Sequence, residues 1–137
     1  MKNLKISIVG LGYVGLPLLV EFSKKYQVIG FDIDKLRISE LQRGYDKTLE
    51  LTSDDLNNLS NLVFTNSVSD IQNCDIYIIT VPTPIDENKK PDLSLLIDAS
   101  ETVAKLIKNG NIIIYESTVY PGATEEVCVP VLEKHSN

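Results

Sequence analysis

A chain of 137 residues, 43% hydrophobic and 23% charged, is long enough for one domain with a real core and too short for two ordinary ones. Its net charge of −6 argues against nonspecific nucleic-acid binding, which needs Lys and Arg to neutralise phosphates. Cys74, Cys128 and His135 form no metal-ligand pattern, so no metal is expected, and the cysteines read as buried free thiols in a reducing compartment.

The opening M-K-N-L-K is positive, but Gly, Tyr and Gly soon break the apolar run, so no signal peptide is read there. No apolar stretch reaches the roughly 18 residues of a membrane span, and a cytoplasmic protein with no membrane partner is expected. Ile6 to Val9 reads as a short strand running into G-x-G-x-x-G at Gly10, Gly12 and Gly15. In a dinucleotide site the first glycine permits the tight turn and the second lets backbone approach a pyrophosphate. The third lets the helix pack closely on the sheet. A helix starting there presents unpaired N–H groups to phosphates, and Pro17 is tolerated in its first turn. Taken alone, the motif fits equally well a glycine-rich turn between any strand and helix.

Leu18, Leu19, Phe22 and Tyr26 then recur at helical spacing, and Gln27 to Asp32 forms a second strand. Strand, helix and strand within thirty residues make a βαβ unit with parallel strands. Asp32 lies about 20 residues beyond the glycines, where a carboxylate accepts hydrogen bonds from ribose hydroxyls and repels a 2′-phosphate, favouring NAD over NADP. Asp32 and Asp34 also suit the cap of the next helix. Arg37, one turn into that helix, reads by spacing as a solvated helix-face charge.

Residues 44–61 are polar and irregular, with a short capped helix expected from Asp54 to Leu59. Leu62 to Thr65 reads as an edge strand and Ser67 to Asn73 as a helical turn. Asp75 to Val81 is an apolar run expected to be a strand buried on both faces. It ends in V-P-T-P, which places Pro82 and Thr83 beside the glycine turn. Thr83 is assigned to the cofactor, against the alternative of a turn hydroxyl bonding its own backbone. After the loop tip Glu87 to Pro91, Asp92 is expected to cap a helix with Leu96, Ser100, Val103 and Ile107 on one face, ended by Asn109-Gly110. Asn111 to Tyr115 reads as another buried strand, followed by E-S-T-V-Y-P-G, with Thr118 on the same edge as Gly12, Asp32 and Thr83. Ala123 to Lys134 is expected to be helical, capped by Thr124 and distorted at Pro130. The expected fold is α/β: a Rossmann-type doubly wound parallel sheet of about five strands in order 3-2-1-4-5, formed by a single domain over residues 1–137.

The four strand-end motifs, G-L-G-Y-V-G-L-P, F-D-I-D-K-L-R, V-P-T-P and E-S-T-V-Y-P-G-A-T-E-E, together resemble the N-terminal NAD-binding domain of the UDP-glucose/GDP-mannose dehydrogenase family. The last motif, with Glu116 and Y-P-G-A-T-E-E-V-C-V-P-V-L-E, is most similar to the UDP-N-acetylhexosamine 6-dehydrogenase branch, of the Vi-polysaccharide type. The resemblance implies oxidation of a sugar C6 alcohol to a carboxylate with two NAD⁺, in surface polysaccharide biosynthesis, by a homo-oligomer. It implies that Tyr13 and Val14 meet the pyrophosphate, Asp32 the ribose and Arg37 the adenosine. It also implies that Thr83 and Thr118 lie near the nicotinamide half, with Thr118 linked to a catalytic water. The family continues with a glutamate-bearing N-P-E-F-type loop, then a lysine and asparagine, then a nucleophilic cysteine that neither Cys74 nor Cys128 matches. The chain is accordingly expected to be a truncated piece that binds NAD(H) without turnover. The sugar stays open among N-acetylglucosamine, N-acetylgalactosamine and glucose. A related hydroxyacid dehydrogenase and a stand-alone NAD-sensing module are the rival readings.

Overall fold

The computed structural model describes residues 3–136. Five strands, β1 (Lys5–Val9), β2 (Gln27–Phe31), β3 (Leu62–Thr65), β4 (Ile76–Ile79) and β5 (Ile112–Tyr115), form one sheet in the order β3-β2-β1-β4-β5. Every pairing is parallel. The expected order holds, and with it the reversal of winding between β1 and β4 where such sheets bind ligands.

The strands are apolar on both faces because both are covered. On one face Ile6, Ile8, Val28 and Ile78 pack with Leu16 and Leu19 of α1 (Gly15–Ser23) and with Ile38 and Leu41 of α2 (Lys35–Gln42). Leu56 of α3 (Ser53–Asn57) closes that side. On the other face Val9, Phe31, Tyr77 and Ile79 pack with Leu96, Ala99 and Val103 of α4 (Ser94–Ala104). Parity along each strand decides the face, as a two-residue repeat requires.

Several elements depart from expectation. The run Asn111 to Tyr115 is expected to be buried, yet β5, at the edge where the expected order puts it, leaves Ile112 54% exposed. Its apolar run I-I-I-Y cannot by itself distinguish a central strand from an edge strand. α3 begins at Ser53, one residue earlier than expected and ending sooner, because a Thr52–Asp55 capping box fixes its start. The N-cap of α4 is Leu93, one residue past Asp92, whose carboxylate still accepts from the Ser94 amide at 2.9 Å. That helix ends at Ala104, well before Asn109-Gly110, which forms a separate turn with Gly110 at φ +92.

The last segment opens as a π-helix over Thr124–Cys128 and continues as α5 (Val129–His135). Thr124 lies inside it and Ala123 is the N-cap, which corrects the capping role. Pro130 has no N–H to donate to the preceding turn, and the wider winding falls directly before it.

Candidate functional site

The glycine turn is where sequence and packing agree most closely. Gly10 adopts φ +101, a region that side chains disfavour. A Cβ on Gly15 would lie 1.8 Å from the Gly10 carbonyl oxygen and 2.5 Å from Thr80 Oγ1, so α1 can approach β1 only with glycine there. Gly12 differs: a Cβ there would meet nothing within 4 Å, so the backbone faces open space. α1 begins at Gly15 with no side-chain cap on Val14, which leaves its N-terminal turn available to an anion.

Three side chains clamp this turn. Thr80 at the end of β4 donates to the Gly10 carbonyl at 2.6 Å from a buried position. Asp32 accepts the Leu11 amide at 2.9 Å through one oxygen and the Asp34 amide at 2.9 Å through the other. Arg37 Nε donates to the Leu11 carbonyl at 2.8 Å. Both backbone groups of Leu11 are therefore held by side chains from beyond β2.

Arg37 corrects the spacing argument. It is 2% exposed and is no solvated charge. Its Nη1 lies 2.8 Å from Asp46 Oδ1 but off the hydrogen-bonding direction, leaving both terminal nitrogens short of acceptors among the described residues. Asp46, within the stretch read as polar and irregular, is buried and well bonded. Oδ1 takes the Thr48 amide and hydroxyl, and Oδ2 takes the Glu50 and Leu51 amides at 3.0 and 3.1 Å. Burial pushes its pKa up, but the Thr48 hydroxyl and amide, Arg37 and the Leu51 amide outweigh it and hold Asp46 below the usual carboxylate range. Asp34 caps α2 as expected, accepting from the Leu36 amide at 2.9 Å, and its pKa too is lowered, first by a backbone N–H at Arg37.

These residues border a largely apolar cavity of about 300 Å³ at the carboxyl ends of the strands. Gly10 and Gly12 after β1, Asp32 after β2, Arg37, and Pro82 after β4 all line it. Val81, Ile33, Lys47, Thr48 and a face of α4 complete it, none of which the sequence reading assigned. Gly15 is buried beneath the turn, and Tyr13 and Val14 are 69% and 51% exposed at its outer side. Thr83 and Thr118 lie outside this cavity but together: the Thr83 hydroxyl donates to the Thr118 carbonyl, not to its own turn. The neighbouring Ser117 hydroxyl donates to the Val81 carbonyl at 2.7 Å, so the ends of β4 and β5 are tied.

The arrangement fits a dinucleotide: open backbone at Gly12, a carboxylate at the end of β2, and an apolar slot between them and α4. Nucleophilic catalysis by either cysteine is unfavourable, since burial pushes the Cys74 thiol up to about 11 and raises Cys128 as well. Among the described residues no cluster of His, Cys, Asp and Glu can hold a metal ion, and no helix is long and apolar enough to cross a membrane.

Comparison with known proteins agrees with this geometry. The model of the UDP-glucose/GDP-mannose dehydrogenase family, NAD binding domain, matches residues 4–137. A UDP-N-acetyl-D-glucosamine 6-dehydrogenase of Pseudomonas aeruginosa is 61% identical over 136 residues, covering 99% of this chain and 32% of that protein. Protein CapL of Staphylococcus aureus is 57% identical over 134 residues, covering 98% of this chain and 31% of its own length. The solved structure of a UDP-D-ManNAc dehydrogenase from Pyrococcus horikoshii superposes with a TM-score of 0.90 at 34% identity, covering 97% of this chain and 32% of that one. The chain thus spans about a third of the length of the relatives it matches.

Proposed function

Since the chain belongs to the UDP-glucose/GDP-mannose dehydrogenase family, as its NAD binding domain, we propose that it forms the cofactor site of a UDP-N-acetylhexosamine 6-dehydrogenase serving surface polysaccharide synthesis in the cytoplasm. The carrying observation is that Gly12, Asp32 and Pro82, from the ends of three different strands, border one cavity. When bound, NAD⁺ supplies the hydride acceptor, two being reduced per sugar as the C6 alcohol becomes a carboxylate with its second oxygen from water. The oxidation is proposed for the whole protein, acting as a homo-oligomer on a nucleotide sugar. The names of the relatives favour N-acetylglucosamine as the hexosamine.

Each residue has a stated part. The amides following Gly12, with Tyr13 and Val14 at the rim, take the pyrophosphate. Asp32 accepts the ribose hydroxyls with lone pairs left over from the Leu11 and Asp34 amides. Arg37, short of acceptors and on the cavity wall, meets the adenosine half. Thr83 positions Thr118 through its carbonyl, and no hydrogen bond among the described residues uses the Thr118 hydroxyl, which suits it to hold a catalytic water.

Titration of the chain with NAD⁺ and NADP⁺ tests the reading. A 2′-phosphate beside the Asp32 carboxylate is repelled, so NAD⁺ should bind at least about tenfold more tightly. Asp32→Ala should weaken NAD⁺ by roughly ten- to a hundredfold and shrink the preference. Equal affinity in the wild type, or an unaltered preference in the variant, removes the ribose assignment.

A further inference from the structure

One wall of the cavity is a single stripe of α4, in which Leu95, Asp98, Ala99 and Thr102 recur at positions i, i+3, i+4 and i+7. The adjacent flank of that helix is fixed in the core by Leu96 and Val103, with Ala99 at the boundary. Ser100 Oγ adds bonds to the Leu96 carbonyl and the Tyr115 hydroxyl, both at 2.7 Å. The stripe is therefore presented to the cavity at a set rotation.

The cavity's charged side chains fall into two groups. Asp32 is engaged by two backbone amides, and Asp34 by the Leu36 amide with Lys47 Nζ at 3.5 Å. Arg37 is bound to the Leu11 carbonyl and paired with Asp46. Asp98 stands apart: neither of its carboxylate oxygens has a hydrogen-bond or ion-pair partner among the described residues, although its backbone carbonyl accepts the Thr102 hydroxyl at 2.9 Å. A carboxylate on an apolar wall accepts and does not donate, so it favours a ligand group that donates hydrogen bonds.

Gly12 and Asp32 mark the phosphate and ribose ends of the ligand, which leaves the α4 stripe for the base. We propose that Asp98 accepts the exocyclic amine of adenine and is the residue that selects an adenine dinucleotide over one carrying a 6-oxo purine. This rests on the dinucleotide reading given above. An oxo group in place of the amine sets acceptor against acceptor, and the base must shift to bring its N1–H to the carboxylate instead, which weakens binding of the 6-oxo form.

Calorimetric titration of the chain with NAD⁺ and with nicotinamide hypoxanthine dinucleotide decides the matter. The wild type should bind NAD⁺ about tenfold or more tightly. In Asp98→Asn, whose amide can donate to the oxo group, the two affinities should converge. Asp98→Ala should lose affinity for NAD⁺ and gain none for the hypoxanthine form. Asp98 is exposed on a helix surface, so these variants keep the fold. An unchanged ratio in Asp98→Asn, or equal binding of the two ligands by the wild type, overturns the assignment while leaving the dinucleotide site standing. A wild type that binds neither ligand overturns the site reading itself, and this inference with it.

Discussion

Gly15 shows how a single missing side chain sets the geometry of a site. A Cβ there would sit 1.8 Å from a backbone oxygen, which cannot be relieved by turning a flexible side chain. Gly15→Ala should therefore cost at or above the upper end for overpacking, about 3 kcal/mol, read as a lowered urea midpoint. It should also reduce NAD⁺ affinity, since α1 and its N-terminal turn move away from β1. Arg37 carries a different lesson. It is 2% exposed, and it lies four residues before Leu41 on the buried stripe of α2, a spacing visible in the sequence. The charge of Arg37 argued for solvent, and only the buried Asp46 from a later loop resolves the conflict. Thr80 is a comparable omission. A hydroxyl closing the apolar run I-Y-I-I-T is a readable signal, but its acceptor, the Gly10 carbonyl, lies 70 residues away.

At the scale of elements, residues 46–51 are an ordered turn built around one carboxylate. Removing it leaves the Arg37 guanidinium buried without its counter-charge, so Asp46→Ala should destabilise by roughly 3–5 kcal/mol at pH 7. The folded pKa of Asp46 is lowered, so its contribution is fully present above the unfolded value near 3.9 and is lost as pH falls through the lower folded value. The urea midpoints of wild type and Asp46→Ala, well separated at pH 7, should draw together as the pH drops below about 4. Asp34, Asp55 and Asp92, also lowered, are common to both proteins and cancel in the difference. β5 and the C-terminal helical run mark where local patterns stop being informative. The periodicity of Ala123 to Lys134 predicts a helix, but the π winding depends on how the chain accommodates Pro130.

At the scale of the whole molecule, the sheet gathers residues from 10 to 118 at one edge, and the chain spans about a third of the length of relatives such as the Pseudomonas aeruginosa enzyme and CapL. The 137 residues should accordingly bind NAD⁺ in calorimetry yet show no NADH absorbance growth with UDP-N-acetylglucosamine. Measurable turnover by the isolated chain would mean that it carries a complete catalytic set. The strand order, the glycine turn, and the convergence of Asp32 and Pro82 on one cavity were all legible from the sequence. They depend on local rules: turn chemistry at glycine, a two-residue repeat in strands, and the fixed hand of parallel crossovers. What only the tertiary structure decided was the environment of each charged or hydroxyl group. It buried Arg37 against Asp46, joined Thr83 to Thr118, and left the Asp98 carboxylate without a partner among the described residues. A polar group's role is set by partners that lie far away in the chain, and no local pattern encodes their distance.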